Sequence, residues 1–181
     1  MADLPPWSTK LQDAEQRIGA FVGAARYDYA RSTGRDPGLG PSRDRVGPDK
    51  DIRGCLAEMA AALILNVSWR PNVGRLDAPD IGRRIQVRST DLVGTGRLIV
   101  KPAAADEDPY CLIEFRLGVF TLVGWAFAAD AKKWPLERYG KDPAHYMPRK
   151  ALLPNAELVE WIRWKDTGHV EVQSDPDEVL E

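Results

Sequence analysis

Cysteine and histidine are scarce in this 181-residue chain, with two of each, and no apolar run is long enough to span a membrane. Cys55 and Cys111 both lie inside apolar segments, so neither a disulfide framework nor a cysteine zinc site is expected. They read as small hydrophobes of a protein in reducing cytosol. His145 and His169 stand alone, without the spacing of metal ligands, and neither has a nucleophile elbow to serve, which sets a serine triad aside. A Gly-x-x-x-x-Gly-Lys phosphate loop is missing too. Val93-Gly-Thr-Gly-Arg97 has two glycines but no helix to follow, and reads as a hairpin turn. The N-terminus lacks the basic-then-apolar layout of a signal peptide. Positive charge is not in excess: 25 Lys and Arg against 27 Asp and Glu give a net −2, which excludes coating of nucleic acid by a globally basic surface.

What is present suits one globular unit, since 44% hydrophobic residues including six tryptophans are enough for a sizeable core at this length. Charge is uneven along the chain. Between Trp69 and Lys101 stand Arg70, Arg75, Arg83, Arg84, Arg88, Arg97 and Lys101 against Asp77, Asp80 and Asp91, while acids gather at 106–108 and 175–181. A basic patch on an acidic protein suits an enzyme that meets phosphate at one place; scattered solvated arginines are the plainer alternative.

Apolar spacing predicts a first helix over Trp7–Arg31 with Ser8 as its N-cap, then a Gly/Pro-rich loop over 32–48. A second helix is predicted over Asp51–Asn66, capped by Asp49 or Asp51, with Ile52, Cys55, Leu56, Met59 and Leu63 buried. Glu58 borders that stripe among small residues, able to approach a neighbouring element or simply to pair with a nearby arginine. A hairpin follows: one strand over Val73–Ile81, a two-residue turn at Gly82–Arg83, and a second strand over Arg84–Ser89. In it Ile85 and Val87 face one way and Gln86 and Arg88 the other, with Asp80 brought alongside. Further strands are predicted at 98–101 (covered on both faces), 110–117, 119–127 and 170–173, and short helices at 128–134 and within 152–162 with Asn155 as cap. Residues 135–148 read as irregular, and 174–181 as a disordered acidic tail. This order predicts a mixed α/β (α+β) sheet flanked by helices, organised as an N-terminal helix and loop (1–50), a core (51–134), an extension packed on it (135–173) and the tail (174–181).

Glu58 on a helix, then Pro79-Asp80, then Gln86-Val87-Arg88 on a strand resembles the PD-(D/E)XK nuclease superfamily, with its restriction-endonuclease-like fold. That resemblance covers roughly 51–133, and the chain is also similar to a group of small phage-encoded proteins. The features shared with those are Gly54 to Glu58, Pro79-Asp80, Gln86 to Arg88, and Gly124-Trp125. The resemblance implies metal-dependent hydrolysis of DNA phosphodiesters, with Asp80 as principal ligand of Mg²⁺ or Mn²⁺ and RNA as an alternative substrate. Gln86 stands where the family usually has an acid, Val87 would lend its carbonyl, and Glu58 would hold a water or second ion at the metal's edge. Arg88 replaces the usual lysine. It cannot shed a proton, but it can orient the attacking water and offset charge on the phosphorane. Lys101 is a candidate relocated lysine, and Arg83 and Arg84 in the turn are the expected nucleic-acid contacts. By the same resemblance the protein acts in cytoplasm (of the host, if phage-encoded), away from membranes, with a homodimer open. Two alternatives remain: a catalytically inactive module that binds nucleic acid or a partner protein, and a virion-associated structural protein. For the hairpin itself the plainer alternative is that Asp80 merely starts a turn, with Gln86 and Arg88 as the solvated face of an edge strand.

Overall fold

A computed structural model describes residues 4–34, 48–75, 78–138 and 142–166. The expected strand at 170–173 and the acidic tail lie outside these, as does most of the 32–48 loop. The described chain is a mixed α/β structure in which a central sheet is flanked by helices on one face and by a second, smaller sheet on the other.

Strand β1 (Ser8–Thr9) opens the chain by pairing antiparallel with the central sheet, and Ser8 Oγ meets Thr121 Oγ1 at 2.8 Å. Ser8 is therefore a strand residue rather than a cap. The first helix, α1 (Asp13–Ser32), starts later, where Gln12 and Glu15 form a capping box.

Helix α2 (Asp49–Leu65) carries both proposed caps, Asp49 and Asp51, inside its first turn, where they oppose the helix dipole without capping bonds. Its burial is not a stripe. Cys55, Ala57 to Ala62 and Leu65 are all buried, whereas Leu63 is 47% exposed. Alanines on most sides let α2 lie between α1 and the sheet, and Asn66 in the left-handed region (φ 53°) ends it.

The central sheet has order β1-β5-β4-β2, with β2 spanning Gln86–Thr90, β4 Pro109–Arg116 and β5 Val119–Phe127. β4 and β5 form a hairpin whose turn, Leu117–Gly118, has φ of 49° and 78°. β2 runs parallel to β4 and is an edge strand. The connection between them passes through β3 (Arg97–Val100) in the smaller sheet, which has order β3-β7-β6 with β7 at Pro143–Pro148 and β6 at Leu136–Arg138. Two strands thus occupy the stretch expected to be irregular. β3 is covered on one face only, for Leu98 and Val100 are buried while Ile99 is 39% exposed.

Pleating of β2 and β4 feeds two cores. Val87, Cys111, Ile113, Phe120, Leu122 and Trp125 pack under α2 and α4 (Asn155–Asp166). Tyr110, Leu112 and Ala126 pack against Leu98, Val100 and Met147 of the smaller sheet and against α3 (Ala128–Ala131).

Candidate functional site

The hairpin before β2 is smaller than its sequence suggests. Residues 70–75 and 78–80 form no regular strand; Ile81 alone bridges to Trp69 and to Ile85. The turn takes three residues, Gly82 to Arg84, with Gly82 at φ 55°, and the second strand begins at Gln86 rather than Arg84. The cause is Ile85. It faces the same core as Ile81, and the two exchange backbone hydrogen bonds, closing the loop one residue later.

This hairpin delivers Asp80 to the free edge of β2. The backbone N–H and C=O of Val87 both point off that edge, and each is met by a side chain. Asp80 Oδ2 accepts the Val87 N–H at 2.8 Å, and Arg88 Nη1 donates to the Val87 carbonyl at 2.8 Å. The same Nη1 lies 3.7 Å from Asp80 Oδ2, and the guanidinium rests over the Tyr110 ring, 4.8 Å from its centroid. Oδ1 of Asp80 has no donor among the described residues. Val87 faces the helical layer, so Gln86 and Arg88 face the smaller sheet, with Asp80 at the edge between the two sides. The Gln86 amide donates to the Ala78 carbonyl at 3.3 Å.

Glu58 reaches this edge from α2 and is 6% exposed. Both its oxygens accept from Arg26 of α1, at 2.5 and 2.8 Å, and Oε2 also accepts from the Trp69 indole at 3.2 Å. This is the boundary glutamate paired with an arginine. Arg26 does more: its Nε donates to the Asn72 carbonyl at 2.6 Å, and the Asn72 amide donates to the Pro79 carbonyl at 3.2 Å. Helix α1 is thereby tied through Asn72 to the segment that carries Asp80. Nothing in the sequence marked Arg26, Trp69 or Asn72. An arginine one helix before the glutamate, together with an indole donor shortly after it, was the signal to look for.

Burial raises the Asp80 carboxyl above its ordinary range, against the opposing pull of Arg88, the Val87 N–H and Arg26. Burial raises Glu58 likewise, against the Arg26 hydrogen bonds, and the Asp80 charge adds to the rise. Two carboxylates thus share a dry corner that the arginines only partly neutralise. Among the described residues no three His, Cys, Asp or Glu side chains converge as a metal cluster. The oxygens at this edge are the two carboxylates, the Val87 carbonyl and the Gln86 amide.

A cleft of about 870 Å³ opens beside the edge, between the first half of α2 and the smaller sheet. Arg26, Glu58, Val87 and Arg88 line it, with Lys50 and Arg53 on one wall and Arg97 and Lys101 on the other. Arg53 pairs with Asp91, Arg97 with Glu137, and Lys101, just past β3, with Asp142 at 3.8 Å. Of the bases in 69–101, Arg97 and Lys101 are thus met by acids from outside that stretch, while Asp91 within it is met by Arg53. Arg84 is turned to Glu107 and Asp108 at 2.8 and 2.9 Å, and neither Arg83 nor Arg84 lines the cleft. Comparisons with family models, curated proteins and solved structures return no match. No helix among the described residues is long and apolar enough to cross a membrane.

Proposed function

We propose that the chain is a metal-dependent nuclease with a restriction-endonuclease-like core, hydrolysing phosphodiester bonds of DNA at the free edge of β2. One observation carries this reading: Asp80, the Val87 backbone and Arg88 gather at one strand edge beside a cleft lined by more cations than acids. The donor set suits Mg²⁺ or Mn²⁺ in kind, for the Asp80 carboxylate, the Val87 carbonyl and the Gln86 amide all offer hard oxygens. Asp80 and the Val87 carbonyl would hold the ion, with Gln86 beside them; a bound divalent ion supplies an acidified water and a polarised phosphate. Glu58, with both oxygens taken by Arg26, acts as an anchor for the site rather than a ligand. Arg88 orients and neutralises the scissile phosphate. Lys101, 68% exposed at the side chain, belongs with Lys50, Arg53 and Arg97 as a contact to flanking phosphates.

A second reading, a nucleic-acid-binding module without hydrolysis, is favoured by the Arg88 guanidinium standing against the Val87 carbonyl, an oxygen the ion needs. Supercoiled plasmid with Mg²⁺ or Mn²⁺ separates the two. The nuclease nicks or linearises it, chelation stops the reaction, and Asp80→Ala reduces it by at least 100-fold. Retardation of DNA without cleavage would establish the binding module instead, and equal nicking by Asp80→Ala would mark a contaminant.

A further inference from the structure

Two arginines face the acids at the β2 edge, and they are held very differently. Arg26 makes two charge-assisted hydrogen bonds to Glu58 and a third bond to Asn72. Arg88 makes one hydrogen bond, to the neutral carbonyl of its own neighbour Val87, rests over the Tyr110 ring at 4.8 Å, and lies 3.7 Å from Asp80, too far for a hydrogen bond. Its side chain is 31% exposed and borders the cleft, so an open path lies beside it. Of the two cations, Arg88 is the one free to leave.

We propose that Arg88 is an internal competitor for the metal ion, its guanidinium holding the Val87 carbonyl and facing Asp80 until an ion displaces it into the cleft. The inference rests on the nuclease reading above. It gives arginine a task at this position that lysine performs poorly: the guanidinium rests over the Tyr110 ring while its Nη1 donates to the Val87 carbonyl, whereas an ammonium is a compact point charge. Displacement also carries the guanidinium from the ion's donors toward the space where a substrate phosphate lies. Loading of the ion and arming of the phosphate contact become one movement.

Calorimetric titration of the full chain with Mn²⁺ alone, without nucleic acid, tests this without reference to cleavage. Arg88→Met, which keeps the apolar stem and removes the donors, is expected to bind Mn²⁺ at least tenfold tighter than the wild type. Arg88→Lys separates occupancy from simple charge repulsion, and is expected to gain several-fold although the charge is unchanged. Asp80→Ala in each background defines the binding that belongs to this site, and Arg88→Gln replaces the methionine variant if that one unfolds. Tightening in the uncharged variant with none in Arg88→Lys would reduce Arg88 to a repulsive charge and overturn the proposal. Equal Asp80-dependent affinity in all chains would overturn it as well, while leaving the metal site standing. No Asp80-dependent binding in any chain would overturn both.

Discussion

Asp80 has one oxygen committed to the Val87 amide and the other without a donor, so asparagine there preserves the hydrogen bond and removes only the charge. Because burial raises the folded carboxyl above its ordinary value of about 3.9, ionised Asp80 costs the folded state stability. That cost is absent below the unfolded value and complete above the raised one. Asp80→Asn is therefore expected to be as stable as the wild type or up to about 1 kcal/mol more stable at pH 7, with the advantage disappearing toward pH 4. Urea unfolding at the two pH values measures it; an advantage that grew on acidification would contradict the account. The spacing of Asp80, Gln86 and Arg88 in the sequence was enough to bring them to one strand edge. What spacing could not show is occupancy, because Arg26, which takes both oxygens of Glu58, comes from a different helix thirty-two residues upstream.

At the scale of elements, the crossing of α1 and α2 depends on glycine. A Cβ at Gly23 would stand 2.4 Å from Ile52 Cα, a backbone contact that cannot yield, whereas a Cβ at Gly54 would meet nothing within 4 Å. Gly23→Ala is expected to lower stability by about 2 kcal/mol or more as the helices are forced apart. Gly54→Ala, in the same helix pair but facing the cleft, is expected to raise it by about 0.5–1 kcal/mol through helix propensity alone. Thermal unfolding of both variants reads the contrast, and equal effects would contradict the helix packing. Because α1 carries Arg26, the crossing also sets where Glu58 is anchored. The β4–β5 hairpin was plain in the sequence because its apolar residues and its Leu117–Gly118 turn are local. β6 and β7 were not. Prolines bound β7 at both ends, and its burial comes from pairing Met147 with Leu98 and His145 with Val100, contacts about fifty residues away. Similarly, α2 was expected to show a buried stripe, but a helix enclosed on most sides by alanines has no such period.

For the molecule as a whole, a net charge of −2 would leave a nuclease one place to meet DNA, and in the cleft beside β2 cations stand on both walls. Several of these are tied to exposed carboxylates, as Arg53 is to Asp91, and such pairs are weak enough for phosphate to exchange into. Of the turn arginines expected to meet nucleic acid, Arg84 pairs with Glu107 and Asp108, a use that no spacing rule distinguishes from phosphate binding. What remains distinctive is a strand edge whose backbone is held by one acid and one arginine, beside a cleft whose walls carry paired cations and acids. Anomalous scattering from Mn²⁺ in crystals of the protein grown with a short DNA duplex examines that edge most directly. The account predicts a single strong peak bonded to Asp80 and to the Val87 carbonyl, with Arg88 turned to a phosphate; DNA seated in the cleft with no ion there, and Arg88 still on Val87, would contradict it.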